Sequence, residues 1–247
     1  MPELPDVELF KHVVARSALR KTIQRVVVSD KRILGKLAAQ TLISRLQGAK
    51  LVAARRYGKH LLASIDRGGW LTLHFGMTGA LNFVSKSGPE PPFTRVRLDF
   101  VDDGSLAYTN KRMIGHVGLT ENIDDFIADE KLGPDALDPQ FDLLAFRAAV
   151  LGSKRDIKSV LLDQQIIAGI GNIYSDEILF QARVNPSARV EMLTPKQIKQ
   201  LFLTLREVLN TAIAHGAGSE LFIERMPKGA LLPERKKEVI APAADPP

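Results

Sequence analysis

Met1-Pro2-Glu3-Leu4-Pro5-Asp6-Val7-Glu8 is the stretch from which the rest of the chain can be read. Met1 precedes a small residue, so an aminopeptidase is expected to remove it and leave Pro2 as a terminal secondary amine. An α-amino group has an ordinary pKa of about 7.7–8, so part of it is neutral and nucleophilic at cellular pH. A secondary amine that attacks a carbonyl-like carbon becomes an iminium, an electron sink reached by the Schiff-base route. Glu3 stands next to it as a group able to move protons. The plainer reading of the same residues is a proline-stiffened terminus with Pro5 opening a helix. Outward from the octapeptide, Val7, Phe10, Val13, Val14 and Ala18 recur at helical spacing.

The chain has 247 residues, 45% apolar and 25% charged, with a net charge of +6 and no cysteine. That length suits one large or two ordinary domains. Without cysteine there is no disulfide, no thiolate nucleophile and no Cys-ligated zinc. No apolar run reaches the roughly 18–20 residues of a membrane span, and no signal peptide is read, so a cytoplasmic protein is expected. A basic balance favours anionic partners, nucleic acid first.

Residues 22–29 read as a strand and 38–46 as a short helix ending at Gly48. Short apolar runs then follow at 49–56, 60–66, 70–75, 79–84, 94–101 and 105–109. Turn signals at Arg67-Gly68-Gly69 and Asp102-Asp103-Gly104 punctuate them. After Gly118 helices are predicted at 122–130, 141–151, 156–165, 172–182 and 195–214, the last capped by Thr194 with Pro195 at its first position. The expected class is α+β. A β-sandwich with a leading helix occupies 1–131, a helical domain 132–226, and a mostly disordered tail 227–247.

Several separated stretches carry a resemblance. They are Met1–Glu8, Arg55–Leu62 (RRYGKHLL), His74–Gly79 (HFGMTG), Lys158–Gln164 (KSVLLDQ) and Gly169–Glu177 (GIGNIYSDE), with support from Thr109–Gly115 (TNKRMIG) and Leu132–Leu137 (LGPDAL). Together, in this order, they resemble the formamidopyrimidine-DNA glycosylase/endonuclease VIII family over roughly Pro2 to Ile223. The resemblance implies a β-sandwich followed by a helix–two-turn–helix domain, with damaged double-stranded DNA held between them by a monomer. It implies excision of an oxidised base, oxidised purines favoured, then β/δ-elimination at the abasic site; no cofactor is expected, and without cysteine no zinc finger and no metal.

By the same resemblance Pro2 attacks C1′ of a nucleotide flipped out of the stack, Glu3 moves protons, and Asp6 supports them. Lys59 contacts the phosphate by the lesion, as a cation would. Asn172 lies where a glycine-rich turn meets a helix N-terminus, a natural phosphate site; as a purely structural residue it reads as the helix N-cap. Met77, Arg112 and Ile114 match three side chains that fill the space left by the flipped base, although Ile114 stands where the family has an aromatic. For Met77 a core position is the competing reading, and His74 is given a supporting place only.

Two further departures stand out. Met113 replaces a second, phosphate-gripping arginine. The four-cysteine zinc finger that ends most relatives has no counterpart here, and Arg225, Arg235, Lys236 and Lys237 are left as candidates for an electrostatic contact with DNA. These departures motivate an alternative function: a protein that binds damaged or abasic DNA, or cleaves only abasic sites, without base excision.

Overall fold

The computed structural model describes residues 2–101 and 104–216. The expected disordered tail, the cations Arg225, Arg235, Lys236 and Lys237, the place of the finger and the Asp102-Asp103 turn lie outside the described residues.

The first helix, α1, runs Leu4–Ser17. It begins three residues before Val7, the first of the periodic apolar positions, because prolines are tolerated in a first turn whose N–H groups have no partner anyway. Among the described residues eight strands follow: β1 (Ile23–Val28), β2 (Leu51–Tyr57), β3 (His60–Ile65), β4 (Trp70–His74), β5 (Gly79–Val84), β6 (Thr94–Phe100), β7 (Ser105–Asn110) and β8 (His116–Thr120), with α2 (Ala39–Leu46) between β1 and β2. They form two antiparallel four-stranded sheets, ordered β1-β6-β7-β5 and β2-β3-β4-β8. Strict in–out alternation along β6, with Val96, Leu98 and Phe100 inward, shows a sheet with one buried face. Leu61, Leu71, Leu73 and Val117 of the second sheet share one core with Val26, Val96, Leu98 and Leu106 of the first. The architecture is therefore α+β, with a β-sandwich at its N-terminal end.

The eighth strand was not expected. Gly118 in its middle reads as a break, yet β8 completes the second sheet by pairing with β4 along Trp70–Thr120 to His74–His116. A 3₁₀ turn over Lys31–Leu34, which buries Ile33 and Leu34, was also unforeseen.

The helical part comprises α3 (Ile123–Asp129), α4 (Leu143–Leu151), α5 (Ile157–Leu162), α6 (Asn172–Ala182) and α7 (Pro195–Ala214). Thr194 and Gln197 close a capping box at the start of α7. The stripe Ile198, Leu201, Leu205, Val208, Leu209 and Ala212 buries that helix in a second core with α4, α5 and α6. Each fully buried leucine there contributes about 1.5–3 kcal/mol relative to exposure. The first helix belongs to both halves: Leu4 sits in the helical core, Val7 and Val14 in the sandwich core. One helix thus ties the N-terminus to both cores.

Candidate active site at the junction of the two cores

The site is organised by Glu3, which is completely buried. Its carboxylate accepts backbone N–H bonds from Gly171 (2.6 Å), Ile173 (2.9 Å) and Tyr174 (3.3 Å). These are donors that a helix N-terminus leaves without an internal partner. Glu3 therefore caps α6 from the far end of the chain. Asn172 does not cap that helix: Gly171 holds the N-cap position with no side-chain bond, and Asn172 is the first helical residue, exposed.

Glycine is required at this junction. A Cβ on Gly171 would collide with the Glu3 carboxyl carbon, and one on Gly169 would lie 2.5 Å from Leu4 Cδ1. Gly169 also adopts φ +120°, which side chains rarely allow. Its carbonyl accepts the Leu4 N–H at 3.0 Å. Gln164 braces the loop, accepting the Gly169 N–H (3.0 Å) and donating to the Ile170 carbonyl (2.8 Å). That bracing explains why α5 ends at Leu162 rather than at the expected 165: Gln164 has left the helix to hold the loop.

Pro2 and Asp6 are buried beside Glu3, and Asp6 accepts the Glu3 N–H at 2.8 Å. Lys59 approaches from the β2–β3 turn, half-buried. Burial raises the Glu3 pKa, opposed by the three N–H donors and the Lys59 charge. Burial lowers the Lys59 pKa, opposed by the Glu3 charge. Each thus holds the other closer to its charged form than burial alone would allow.

The turn carrying Lys59 is held by residues that the sequence reading passed over. Arg56 donates to Glu8 of α1 through Nε (3.0 Å) and to Asp135 through both terminal nitrogens, the Nη2 bond measuring 3.0 Å. Asp135 also accepts the Gly58 N–H at 2.6 Å and the Leu137 N–H at 2.9 Å. Tyr57 donates to the Gly133 carbonyl at 2.9 Å. Both Arg56 and Asp135 were quoted within motifs, but a sequence does not announce that an arginine on one strand will meet an acid so far along the chain.

Met77, Arg112 and Ile114 come together at a separate, open rim. Met77 lies in the β4–β5 loop and is 40% exposed, which removes the core reading. Arg112 and Ile114 lie in the β7–β8 loop, Ile114 being 49% exposed. The Arg112 N–H donates to Thr78 Oγ1 at 3.1 Å and joins the loops. Met113 turns the other way, with φ +57°, and packs on the sandwich core. The substitution that removes a cation has therefore become a core contact.

His74 is largely buried, its ring centroid 4.8 Å from that of His60, and β8 brings His116 alongside. Burial lowers the His74 pKa to about 4 and that of His60 to about 3. Among the described residues, no group of three or more His, Asp or Glu side chains is arranged to hold a metal, and no helix is long and apolar enough to cross a membrane.

The model of the formamidopyrimidine-DNA glycosylase N-terminal domain matches residues 1–117, and that of the H2TH domain of the same enzyme matches 132–223. A formamidopyrimidine-DNA glycosylase of Acaryochloris marina is 36% identical over 232 residues, covering 90% of this chain and 81% of the relative. That of Moorella thermoacetica is 35% identical over 217 residues, covering 87% and 79%. The Lactococcus lactis glycosylase solved with abasic-site DNA superposes with a TM-score of 0.82 at 28% identity, over 88% of this chain and 80% of that one. The same enzyme with DNA containing a benzylated formamidopyrimidine gives 0.82 at 27%, over 93% and 83%. With matches that span both cores and the junction between them, the chain belongs to the formamidopyrimidine-DNA glycosylase family.

Proposed function

We propose that this protein is a bifunctional DNA repair glycosylase and abasic-site lyase that removes oxidised bases, oxidised purines first. It works as a monomer on double-stranded DNA, in the cytoplasm at the nucleoid. The observation that carries the reading is the buried Glu3 carboxyl, fixed between three backbone N–H groups and Lys59 directly beside Pro2.

With Met1 removed, the Pro2 nitrogen attacks C1′ of a flipped nucleotide. The C1′–base bond breaks, and the base leaves with its electron pair and takes up a proton. Glu3, its pKa raised by burial, protonates the sugar ring oxygen so that the ring opens. Loss of the ring-oxygen bond leaves a Pro2–C1′ iminium. That iminium acidifies C2′; loss of a C2′ proton expels the 3′-phosphate, and a further proton loss expels the 5′-phosphate. Lys59 holds the phosphate by the lesion, and Asn172, exposed at the first turn of α6, offers its side-chain amide as a donor to a second. Asp6 keeps the first turn of α1, and with it Glu3, in place. Met77, Arg112 and Ile114 fill the vacated stack. Aliphatic side chains unstack bases as wedges do in other DNA-bending proteins.

The test is borohydride trapping of protein lacking Met1, confirmed by mass, on duplexes holding 8-oxoguanine, an oxidised pyrimidine or an abasic site. Trapping on 8-oxoguanine is expected. Trapping on the abasic duplex alone, or binding with no trapping, would replace this reading by the lyase or the binding protein.

A further inference from the structure

A second surface borders the Met77–Arg112–Ile114 rim. Phe93, in the loop before β6, holds a bulky side chain at φ +62°, a conformation that is a genuine outlier for such a residue. Residues of this kind persist where their surroundings over-determine them, often at ligand clamps. Here the determinants are visible. The Phe93 carbonyl accepts the Asn110 N–H at 3.0 Å, and a register shift between Thr94 and Val96 frees the start of β6 from regular pairing.

The outcome is an aromatic ring 48% exposed between two cations. Arg95 lies 5.8 Å and Lys111 5.7 Å from its centroid. Arg95 is anchored by its Nε bond to the Asn110 carbonyl at 2.8 Å. Lys111 is exposed and immediately precedes Arg112. A ring face flanked by cations is the pairing that nucleic-acid platforms use, with stacking on the ring and phosphate on the charges. It also supplies, one loop away, the two things missing from the rim: an aromatic at position 114 and a cation at 113.

We propose that Phe93, Arg95 and Lys111 form a second DNA contact beside the wedge, taking one nucleotide of the strand opposite the lesion. The phosphate meets Lys111 and Arg95, and the sugar and base edge lie against the Phe93 ring. This rests on the proposed DNA repair function, in which Arg112 faces the orphaned base.

The test measures binding to a duplex with a tetrahydrofuran abasic analogue over a range of salt, for the parent chain, Phe93→Ala and Lys111→Ala. Phe93→Ala should weaken binding about tenfold with an unchanged salt slope, and Lys111→Ala should flatten the slope by roughly one. A single methylphosphonate, scanned along each strand in turn, should weaken the parent at one position of the undamaged strand and leave Lys111→Ala unaffected there. Parent-like binding by Phe93→Ala, or a sensitive phosphate only on the lesion strand, overturns the platform while leaving the repair reading intact. Failure of the parent to bind the duplex overturns both. The substituted side chains are exposed, so parent-like thermal unfolding should accompany each variant.

Discussion

The Glu3 junction and the Met77–Arg112–Ile114 rim would serve one reaction, yet they are built in opposite ways. At the junction every oxygen of Glu3 and Asp135 has a partner, and glycines remove all slack between α1 and the 169–171 loop. At the rim the side chains stand in solvent, and one hydrogen bond joins the two loops. The junction has its geometry before any DNA arrives, as chemistry that tolerates little displacement demands. The rim can be rewritten residue by residue at little cost to folding. Of the departures at 113 and 114, Ile114 falls on the rim, where a change alters recognition without dismantling the fold, whereas Met113 turns inward onto the sandwich core.

The sharpest way to break the contrast is at the junction. Glu3→Gln keeps the shape but removes the proton donor and one acceptor, placing an amide NH₂ toward backbone N–H groups. Base excision should fall by about 10²–10⁴-fold, read by single-turnover kinetics, with binding to an abasic-analogue duplex retained. Normal excision would remove Glu3 from the chemistry.

Next in size is the clamp beneath it. Arg56 and Asp135 are nearly buried, and deleting one partner strands a charge. Asp135→Ala should cost about 3–5 kcal/mol in denaturant unfolding. The paired change Arg56→Met with Asp135→Leu should recover part of that stability while leaving the Lys59 turn loose. A cost below 1 kcal/mol for the single change would mean that the pair does not hold the halves together.

The histidines probe the sheet that carries Lys59. His60 and His74 have folded pKa values near 3 and 4, below the ordinary 6.5. Their contribution is fully present above about pH 6.5 and is lost as pH falls, because the unfolded chain takes up protons that the fold refuses. Each should add a slope of the order of 1 kcal/mol per pH unit between about pH 6.5 and 4.5, roughly 2 for the pair, mostly above the range where paired carboxylates titrate. His74→Phe should flatten it, and an unchanged slope would assign acid sensitivity elsewhere.

These differences track what was legible in the sequence. Helices with caps and a periodic stripe, such as α7, were readable because their signals are local. Most strands of the sandwich were readable from apolar runs bounded by turns. β8 was not, since its existence depends on an open edge of β4 rather than on its own residues. Pro2 and Glu3 were singled out from the chemistry of a terminal amine beside a carboxylate, and Lys59 only through a motif. The capping of α6 by Glu3, and the Arg56–Asp135 clamp, join residues that are remote in sequence. No periodicity encodes such pairs, so the sequence reading assigned the cap to the adjacent Asn172. Phe93 was illegible for a different reason: its position depends on one positive φ and a register shift, and neither leaves a mark on composition.

The smallest effect discriminates most finely between the two regions. Met77→Ala and Ile114→Ala remove exposed side chains, so each should change unfolding free energy by less than about 0.5 kcal/mol. Their signature belongs to DNA. With fluorescent 2-aminopurine opposite the lesion, the parent should raise emission on binding as the stack opens, and the double variant should bind with that rise diminished. Because Ile114 offers less stacking area than an aromatic, Ile114→Phe should strengthen the signal without touching stability. If these variants instead destabilised the fold, the rim would be structural. If they neither destabilised the fold nor changed the fluorescence, the space left by the flipped base would have to be filled by another group. Arg112, fixed at its backbone to the Met77 loop through Thr78, would then be the next residue to replace.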